Sequence, residues 1–174
     1  THETFEAHPG GSLAIEVMDR LLGFVRDNCN EALVRDMGVM TRLTSTSHQS
    51  WAHADNCTWA PAHGGYIMNH TPLRTHTAML YISDDCEGGE LNVGIGPGPG
   101  GQLSSMDISC DNGTLVVLPS SESFHHSVKN IKRGSRYAVI TWYMRDIDEA
   151  MYGKPMQEVQ KHLMRTRDTL WCNA

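Results

Sequence analysis

The stretch SESFHHSVKNIKRGSRYAVITWYM, residues 121–144, decides the fold class of this chain. A Lys-Arg-Gly-Ser turn followed by a run of β-branched and aromatic residues predicts a strand, a tight turn and a second strand. Alternate residues of a strand share a face, so Arg136 lies on the same side as Ala138, Ile140 and Trp142. A buried guanidinium is costly without an anionic partner, which a ligand could supply. The alternative is that Arg136 ends the strand at the surface.

The composition is that of an ordinary globular chain of one domain. It has 174 residues, of which 40% are hydrophobic and 20% are charged. The formal net charge is -6 and no Lys/Arg run occurs, which argues against a nucleic-acid partner, because binding a phosphate backbone requires a basic surface. No apolar run approaches the ~20 residues of a membrane span, so we expect a soluble chain without a membrane partner. The oligomeric state stays open.

The cysteines and the glycosylation triplets give only weak indications of the compartment. The chain has 5 cysteines and no Cys-X-X-Cys pair, which argues against a structural zinc site. Asn-X-Ser/Thr triplets at Asn56, Asn69 and Asn112 fit a protein of the secretory pathway, although such triplets often arise by chance. The localisation is therefore unknown from the residues alone.

Helical patterns occur at both ends of the chain. Ser12 fits an N-cap, and a second short helix is predicted over residues 31–37, ending at Gly38, so the N-terminal helices occupy residues 12–37. The last amphipathic helix is predicted over residues 155–171. The apolar stripes of the first and last helices are Leu13, Val17, Leu21, Phe24 and Val25, and Met156, Val159, Leu163 and Leu170.

Short strand patterns fill the region between these helices, at about residues 39–146. The clearest after the opening stretch is THTAMLYIS at residues 75–83, whereas residues 51–70 resemble a long loop and residues 96–101 an irregular Gly/Pro segment. Because no helix interrupts the strands, the order favours an antiparallel sandwich or barrel over alternating βαβ units. The predicted fold class is mainly β with flanking helices.

A His-Ala-Asp triplet places His53 and Asp55 at the end of a predicted strand, where residues two apart share a face. His126 would add a third ligand from another strand. Two histidines and one carboxylate form the facial arrangement that holds non-haem Fe(II) and leaves coordination positions open. His125 competes with His126, and since neighbours on a strand face opposite sides, only one of them can point inward. The spacing to Arg136 favours His126.

Three motifs in this order carry a family resemblance: HADNC at residues 53–57, RTHTAMLYISDDCEGGEL at residues 74–91 and HHSVKNIKRGSRYAVITWYM at residues 125–144. Together they resemble the 2-oxoglutarate and Fe(II)-dependent dioxygenases of the prolyl hydroxylase superfamily, and most of all the leprecan-type prolyl 3-hydroxylases. The resemblance covers roughly residues 51–146. It implies a double-stranded β-helix, or jelly-roll, core within a single dioxygenase domain spanning residues 1–174.

The resemblance also implies roles for individual residues at the metal centre. His53, Asp55 and His126 would bind the iron, and no further catalytic side chain is expected. Arg136 would form a salt bridge with the distal carboxylate of 2-oxoglutarate, and Tyr81 would hydrogen-bond the same carboxylate.

Other roles concern the surroundings of this centre. Trp142 would lie beside the cosubstrate, with an ordinary core aromatic as the alternative. Arg74, Trp51 and Trp59 would contact the substrate, although Arg74 also fits a surface charge. Asn56 would orient Asp55, because carboxylate ligands are commonly held by a neighbouring hydrogen bond.

The activity implied by the resemblance is hydroxylation of a prolyl residue in a peptide or protein. It would use Fe(II), 2-oxoglutarate and O2, release succinate and CO2, and be supported by ascorbate. Hydroxylation of a free amino acid, a natural product or a lysyl residue is the alternative, and a non-catalytic jelly-roll binding domain is a minor one. A location in the secretory pathway or endoplasmic reticulum would follow from the same resemblance.

Overall fold

The computed structural model describes residues 10–47, 52–82, 85–95 and 104–166. Within these ranges the chain forms two α-helices, α1 (Gly11–Cys29) and α2 (Met156–Thr166), and two 3-10 helices (Pro61–His63 and Asp146–Met151). The strands are β1 (Leu33–Thr44), β2 (Cys57–Ala60), β3 (Gly65–Met68), β4 (His76–Tyr81), β5 (Glu87–Gly88), β6 (Leu91–Ile95), β7 (Ser104–Ile108), β8 (Leu115–Pro119), β9 (His126–Val128), β10 (Ile131–Arg133) and β11 (Ser135–Arg145).

Two antiparallel sheets form the core of the molecule. The larger sheet has the strand order β1-β11-β4-β8, and the smaller one has the order β7-β6-β9. Apolar side chains of both sheets pack together between them, including Met79 and Val116 from the larger sheet and Leu91 and Val93 from the smaller one. This packing confirms the predicted antiparallel sandwich and the mainly β fold class.

The larger sheet is buried on both faces, and the alternation predicted for β11 is confirmed. Ala138 packs into the core between the sheets, whereas Val139 and Tyr143 contact the side that α1 covers. Tyr81 of β4 lies on the core side and Ala78 on the α1 side. A sheet covered on both sides holds its strands rigidly, which suits a scaffold that must position reactive side chains.

The predicted second helix at residues 31–37 is wrong, because this segment begins β1. Paired with β11 from Leu33 to Thr44, it gains backbone hydrogen bonds that outweigh its weak helical preference. The register shifts at Asp36, between Arg35 and Met37, and this β-bulge hides the strand alternation in the sequence. The sheet core therefore starts at residue 33 rather than 39, and only α1 precedes it in the described residues.

Gly38 is also not the helix cap that the sequence indicated. It lies within β1, where a side-chain Cβ atom would run into the Met18 side chain of α1. The glycine lets α1 pack closely on the larger sheet.

Helix α1 begins at Gly11 with Gly10 as its N-cap, so the predicted N-cap, Ser12, is wrong and lies within the first turn. Its buried side is a seven-residue repeat: Gly11, Ala14, Met18, Leu21 and Val25. The prediction was wrong for Leu13 and Phe24, whose side chains are 63% and 50% exposed. Both lie beside the packed stripe, whose residues Met18, Leu21 and Val25 contact the larger sheet.

Residues 121–144 do not form the predicted hairpin. Strand β9 pairs with β6 in the smaller sheet, β10 pairs with β5, and β11 pairs with β1 and β4 in the larger sheet. The stretch therefore crosses from one sheet to the other. The predicted turn is confirmed, because Gly134 lies between β10 and β11 with a φ of 77°. This crossing brings His126 and Arg136 into the same space from opposite sides.

The predicted loop at residues 51–70 contains a hairpin of β2 and β3, joined by the 3-10 helix Pro61–His63 and by Gly64 with a φ of 63°. The short polar strands gave no clear alternation in the sequence. The Gly/Pro segment at residues 96–101 lies outside the described residues.

The C-terminal part packs on one end of the larger sheet. Val159 and Leu163 of α2 are buried against Leu73 and Met144, as the predicted stripe indicated, whereas Met156 is 40% exposed and Leu170 lies outside the described residues. Asp148, fully buried, accepts hydrogen bonds from Arg145 and pairs with His162 of α2 at 2.6 Å. The sequence did not predict the 3-10 helix that carries this carboxylate.

Candidate metal and cosubstrate site

His53, Asp55 and His126 converge on one point, with one ligand atom from each within 4.8 Å of the other two. His53 Nε2 lies 3.7 Å from Asp55 Oδ1, and His126 Nε2 lies 3.6 Å from Asp55 Oδ2. These separations are too long for hydrogen bonds, so the three groups approach a common centre without bonding one another. Two imidazoles and a carboxylate suit a non-haem Fe(II) with open positions.

The backbone sets this geometry. His53 and His126 form an isolated antiparallel bridge. The His53 N–H donates to the His126 carbonyl oxygen at 3.0 Å, and the His126 N–H donates to the His53 carbonyl oxygen at 2.9 Å. The side chains of such a directly opposed pair lie on one face. Their ring centres are accordingly 4.5 Å apart.

Asp55 is held by a neighbour that the sequence reasoning missed. The Thr77 hydroxyl donates to Asp55 Oδ2 at 2.5 Å and contacts the Ser120 hydroxyl at 2.8 Å. The Asp55 carbonyl oxygen accepts from Asn69 Nδ2 and from the Thr71 hydroxyl. Thr77 lies on the Tyr81 face of β4, so strand alternation could have indicated it.

Asn56 differs from its predicted role. Its side-chain Nδ2 donates to the Arg74 carbonyl oxygen at 2.9 Å, and its backbone N–H donates to the Ser120 carbonyl oxygen at 3.1 Å. It therefore fastens the chain next to Asp55, while the hydrogen bond to the Asp55 carboxylate comes from Thr77.

The structure places His126 rather than His125 in the inward position, as the spacing to Arg136 predicted. His126 is 6% exposed and joins the ligand cluster, whereas the His125 ring contacts Tyr66 with ring centres 4.9 Å apart. Burial lowers the pKa of His126, and the Asp55 carboxylate opposes this shift. The neutral imidazole favoured by burial is the form that binds a metal ion.

Arg136 enters the same space from β11. It is 1% exposed, donates from Nη2 to the Tyr81 hydroxyl at 2.8 Å and from Nε to Cys110 Sγ at 3.3 Å, and lies over the Tyr81 ring. Burial raises the pKa of Tyr81, against the opposing effect of Arg136, so the phenol stays neutral. No carboxylate among the described residues pairs with Arg136. The surface alternative is thereby excluded, and the buried charge requires an anion from elsewhere.

A cavity of about 210 Å³ connects the metal ligands to Arg136. Its walls include Thr77 and Met79 of β4, Leu91 of β6, and Ile140 and Trp142 of β11. The Trp142 indole N–H is buried and makes no hydrogen bond within the described part of the chain. An unpaired indole donor and an uncompensated guanidinium in one cavity fit a polar, anionic occupant such as 2-oxoglutarate.

Arg74 is a buried partner of this wall rather than a surface charge. Its guanidinium stacks on Trp142, with Cζ 4.3 Å from the ring centre, and its Nε donates to Asp36 Oδ2 at 2.6 Å. Both side chains of the ion pair are 9% exposed. The bulge in β1 turns Asp36 towards Arg74, a role that its sequence position did not indicate.

A second cavity, of about 390 Å³, is lined in part by Arg74. Its lining is largely apolar: Met37, Pro72, Leu73, Met151, Met156 and Val159, with Asp36, His70, Arg74 and Lys154 among the polar residues. Arg74 lines this cavity and Trp142 lines the first one, so the stacked pair separates the two spaces.

Of the two predicted substrate tryptophans, the described one, Trp59, stands apart from this site. Trp59 of β2 is 52% exposed and packs edge-on against Tyr66, with ring centres 5.2 Å apart, and it does not line the 210 Å³ cavity. Trp51 lies outside the described residues.

Comparison with known protein families decides the family of the chain. Residues 39–144, more than half of the sequence, match the profile described as the 2OG-Fe(II) oxygenase superfamily. The chain belongs to this superfamily. Membership confirms the family and the oxidoreductase class inferred from the motifs, and it implies Fe(II) and 2-oxoglutarate, which the donor set and the uncompensated Arg136 of this 2OG-Fe(II) oxygenase both fit.

Among curated relatives, this oxygenase is 31% identical over 121 residues to prolyl 3-hydroxylase 2 of Rattus norvegicus. The match covers 68% of this chain but only 16% of that relative. The oxygenase therefore spans a small part of the relative's length.

Solved structures share the fold. A prolyl hydroxylase from Trichoplax adhaerens, solved with a peptide fragment of the hypoxia inducible factor oxygen degradation domain, has a TM-score of 0.61 and 18% identity, covering 83% of this chain and 62% of that one. A 2OG-Fe(II) oxygenase family oxidoreductase from Burkholderia pseudomallei has a TM-score of 0.59 and 15% identity, covering 79% and 57%. These likenesses confirm the predicted jelly-roll core. Separately, none of the described helices has the length and apolar character needed to cross a membrane.

Proposed function

We propose that this chain is the catalytic domain of an Fe(II)- and 2-oxoglutarate-dependent hydroxylase that acts on a prolyl residue of a peptide or protein. The observation that carries the proposal is the cavity lined by His53, Asp55 and His126 and by the buried Arg136, with which no carboxylate of the described ranges pairs. The similarity to prolyl 3-hydroxylase 2 supports the prolyl class of substrate.

The residues that line or border the cavity would have separate roles. His53, Asp55 and His126 would hold the iron and leave positions open on the cavity side. Arg136 would bind the distal carboxylate of 2-oxoglutarate, with the Tyr81 hydroxyl beside it. Bound iron, 2-oxoglutarate and O2 together supply the oxidising power for hydroxylation, with succinate and CO2 as by-products.

The apolar walls contribute exclusion of water. Met79, Leu91 and Ile140 surround the polar groups of the cavity, and a charge interaction is stronger where water is absent. We propose that ascorbate supports turnover by keeping the iron reduced.

The substrate path follows from the stacked pair of Arg74 and Trp142. We propose that residues next to the target proline occupy the 390 Å³ cavity, because it shares this wall with the metal cavity and its lining is mostly apolar. Substrate contacts by Trp51 and Trp59 stay predictions. A secretory-pathway location likewise remains a proposal.

The first test is anaerobic titration with Fe(II) and 2-oxoglutarate, monitoring the weak visible metal-to-ligand charge-transfer band. We expect the band in the wild type, its loss in His126→Ala and its weakening in Arg136→Gln. His125→Ala is the matched control, because the neighbouring histidine lies outside the ligand cluster. A folded wild type without the band would contradict the proposal and favour a non-catalytic binding domain.

The second test concerns the substrate. Proline-containing peptides, lysine-containing peptides and free amino acids are incubated with the enzyme, Fe(II), 2-oxoglutarate and ascorbate, and examined by mass spectrometry. A mass gain of one oxygen atom on a prolyl residue, with matching succinate, is expected. Gain only on lysine or on a free amino acid would overturn the prolyl assignment while leaving the oxygenase chemistry intact.

A further inference from the structure

Cys110 makes an unusual contact with the buried arginine. Its Sγ lies 3.3 Å from Arg136 Nε, which donates to it, and the thiol itself donates to the Gly89 carbonyl oxygen at 2.7 Å. Cys110 is 8% exposed, so both hydrogen bonds are sheltered from water. Its donor and its acceptor capacity are therefore both used within the protein.

From this contact we propose that Cys110 is a positioning residue for 2-oxoglutarate, which orients the guanidinium of Arg136 towards the distal carboxylate of the cosubstrate. This inference rests on the proposed function, because it assigns a role through Arg136. The two residues belong to different parts of the chain, and neither the family motifs nor the strand patterns indicated Cys110.

The arrangement of donors on Arg136 explains why such an acceptor matters. Nε and Nη2 form one edge of the planar guanidinium, and this edge is occupied by Cys110 and by the Tyr81 hydroxyl. The described residues offer Nη1 no hydrogen-bond acceptor. The edge formed by Nη1 and Nη2 therefore keeps donor capacity for a carboxylate, which binds a guanidinium best with two parallel hydrogen bonds.

The neutral character of the thiol is the second part of the argument. A carboxylate at position 110 would also orient Arg136, but it would compensate the charge and compete with the bound anion. A thiol is a weak acceptor that fixes the rotation of the guanidinium and leaves its charge free for a ligand.

Close packing holds Gly89, Cys110 and Arg136 together. A Cβ atom at Gly89, where φ is 75°, would lie 3.2 Å from Arg136 Cδ and 3.4 Å from Cys86 Sγ. The Gly89 backbone thus lies against the aliphatic part of Arg136 while its carbonyl oxygen accepts from Cys110. Cys86 is near, but its thiol donates to the Gly88 carbonyl oxygen at 3.5 Å and makes no hydrogen bond to Arg136.

The test compares two ligands that differ only in the part that Arg136 would bind. Protein loaded with Mn(II) is titrated by calorimetry with 2-oxoglutarate and with 2-oxobutanoate, which lacks the distal carboxylate. In Cys110→Ala we expect the dissociation constant of 2-oxoglutarate to rise about fivefold to tenfold, as for loss of one ordinary hydrogen bond, because a thiol is a weak acceptor. The dissociation constant of 2-oxobutanoate should stay unchanged.

Three further variants test whether the hydrogen-bond acceptor at position 110 causes the effect. Cys110→Val keeps an apolar side chain of similar size but has no hydrogen-bond acceptor. It should weaken 2-oxoglutarate binding as Cys110→Ala does, and it replaces Cys110→Ala if the smaller alanine disturbs folding. Cys110→Ser can donate to Gly89 and accept from Arg136, so it should recover most of the affinity. Cys86→Ala is the matched control and should leave both dissociation constants unchanged.

Equal weakening of both ligands in Cys110→Ala and Cys110→Val would assign Cys110 a structural role only and overturn the inference. Unchanged binding of both ligands would also overturn it, while wild-type binding of 2-oxoglutarate and its loss in Arg136→Gln would leave the proposed function in place. A wild type that does not bind 2-oxoglutarate would overturn the proposed function, and this inference with it.

Discussion

The hydroxyl group of Thr77 donates a hydrogen bond of 2.5 Å to Oδ2 of Asp55, the same carboxylate oxygen that faces His126. Thr77 is 1% exposed and belongs to β4, in the middle of the larger sheet. The proposed carboxylate ligand, which follows an isolated bridge rather than a strand, is thereby held by a side chain from the interior of the larger sheet.

Replacing Thr77 by valine should weaken metal binding. The variant keeps the shape of the side chain but leaves Asp55 free to rotate, and loss of such a supporting contact typically lowers metal affinity about tenfold or more. Calorimetric titration with Mn(II) measures the effect. Thr141→Val is the control, because Thr141 is equally buried in β11 but faces away from the cavity. Equal Mn(II) affinity of Thr77→Val and wild type would refute this role of the hydroxyl.

Loss of the Asp36 charge should destabilise the fold strongly. Asp36→Asn leaves the buried guanidinium of Arg74 without a counter-ion, which costs about 3 kcal/mol in the free energy of unfolding. The exposed pair of Asp19 and Arg35 gives a matched control at the same kind of contact, 2.7 Å. Asp19→Asn should lower the free energy of unfolding by less than about 1 kcal/mol. Urea unfolding of both variants measures the difference, and similar losses would show that the Asp36 pair is not effectively buried.

Gly134 should not tolerate a side chain. Its φ is 77°, and a Cβ atom would run into the backbone carbonyl oxygen of Asp85. We expect Gly134→Ala to lower the free energy of unfolding by more than about 2 kcal/mol, since strain and collision add. Gly113 has a φ of 85° with open space around it, so Gly113→Ala should show the strain alone, about 1 kcal/mol. Equal losses in urea unfolding would mean that the neighbouring Asp85 segment simply moves aside.

His76 should make stability depend on pH. Burial lowers the pKa of this imidazole from its usual 6.5, against the effect of Glu31. The unfolded chain therefore binds a proton more readily than the folded one. The stability that His76 contributes is complete above the unfolded pKa and is lost as the pH falls through the lower folded value. We expect a flatter dependence of the thermal midpoint on pH below 6.5 in His76→Gln. His63→Gln, at an exposed position, is measured beside it as the same exchange elsewhere in the chain.

The site was more predictable from sequence than the connections between its strands. Strand alternation placed Arg136 on the inward face of β11 correctly, because a period of two residues depends only on local geometry. The pairing partners of β9 and β11 depend on which sheet each strand joins, and a continuous stretch with one turn gave no sign of that crossing. A hairpin was the simplest local solution, and long-range pairing overrode it.

Other misses have a similar physical origin. The bulge at Asp36 interrupts the alternation of β1, so the start of the strand looked helical. Thr77 was within reach of the same alternation argument, because it lies on the Tyr81 face of β4. Cys110 was not, because its contact with Arg136 joins residues 26 positions apart and depends on side-chain packing that no local pattern records.

The bridge between His53 and His126 has a kinetic consequence. Two of the three proposed ligands share one pair of backbone hydrogen bonds, so a single local opening at this bridge would separate both imidazoles at once. A bound ion would in turn hold the two segments together from the side-chain end. Metal release and hydrogen exchange of the His53 and His126 amides should therefore both proceed through opening of this bridge. The lifetime of a bound ion would then depend on how often these two backbone hydrogen bonds break.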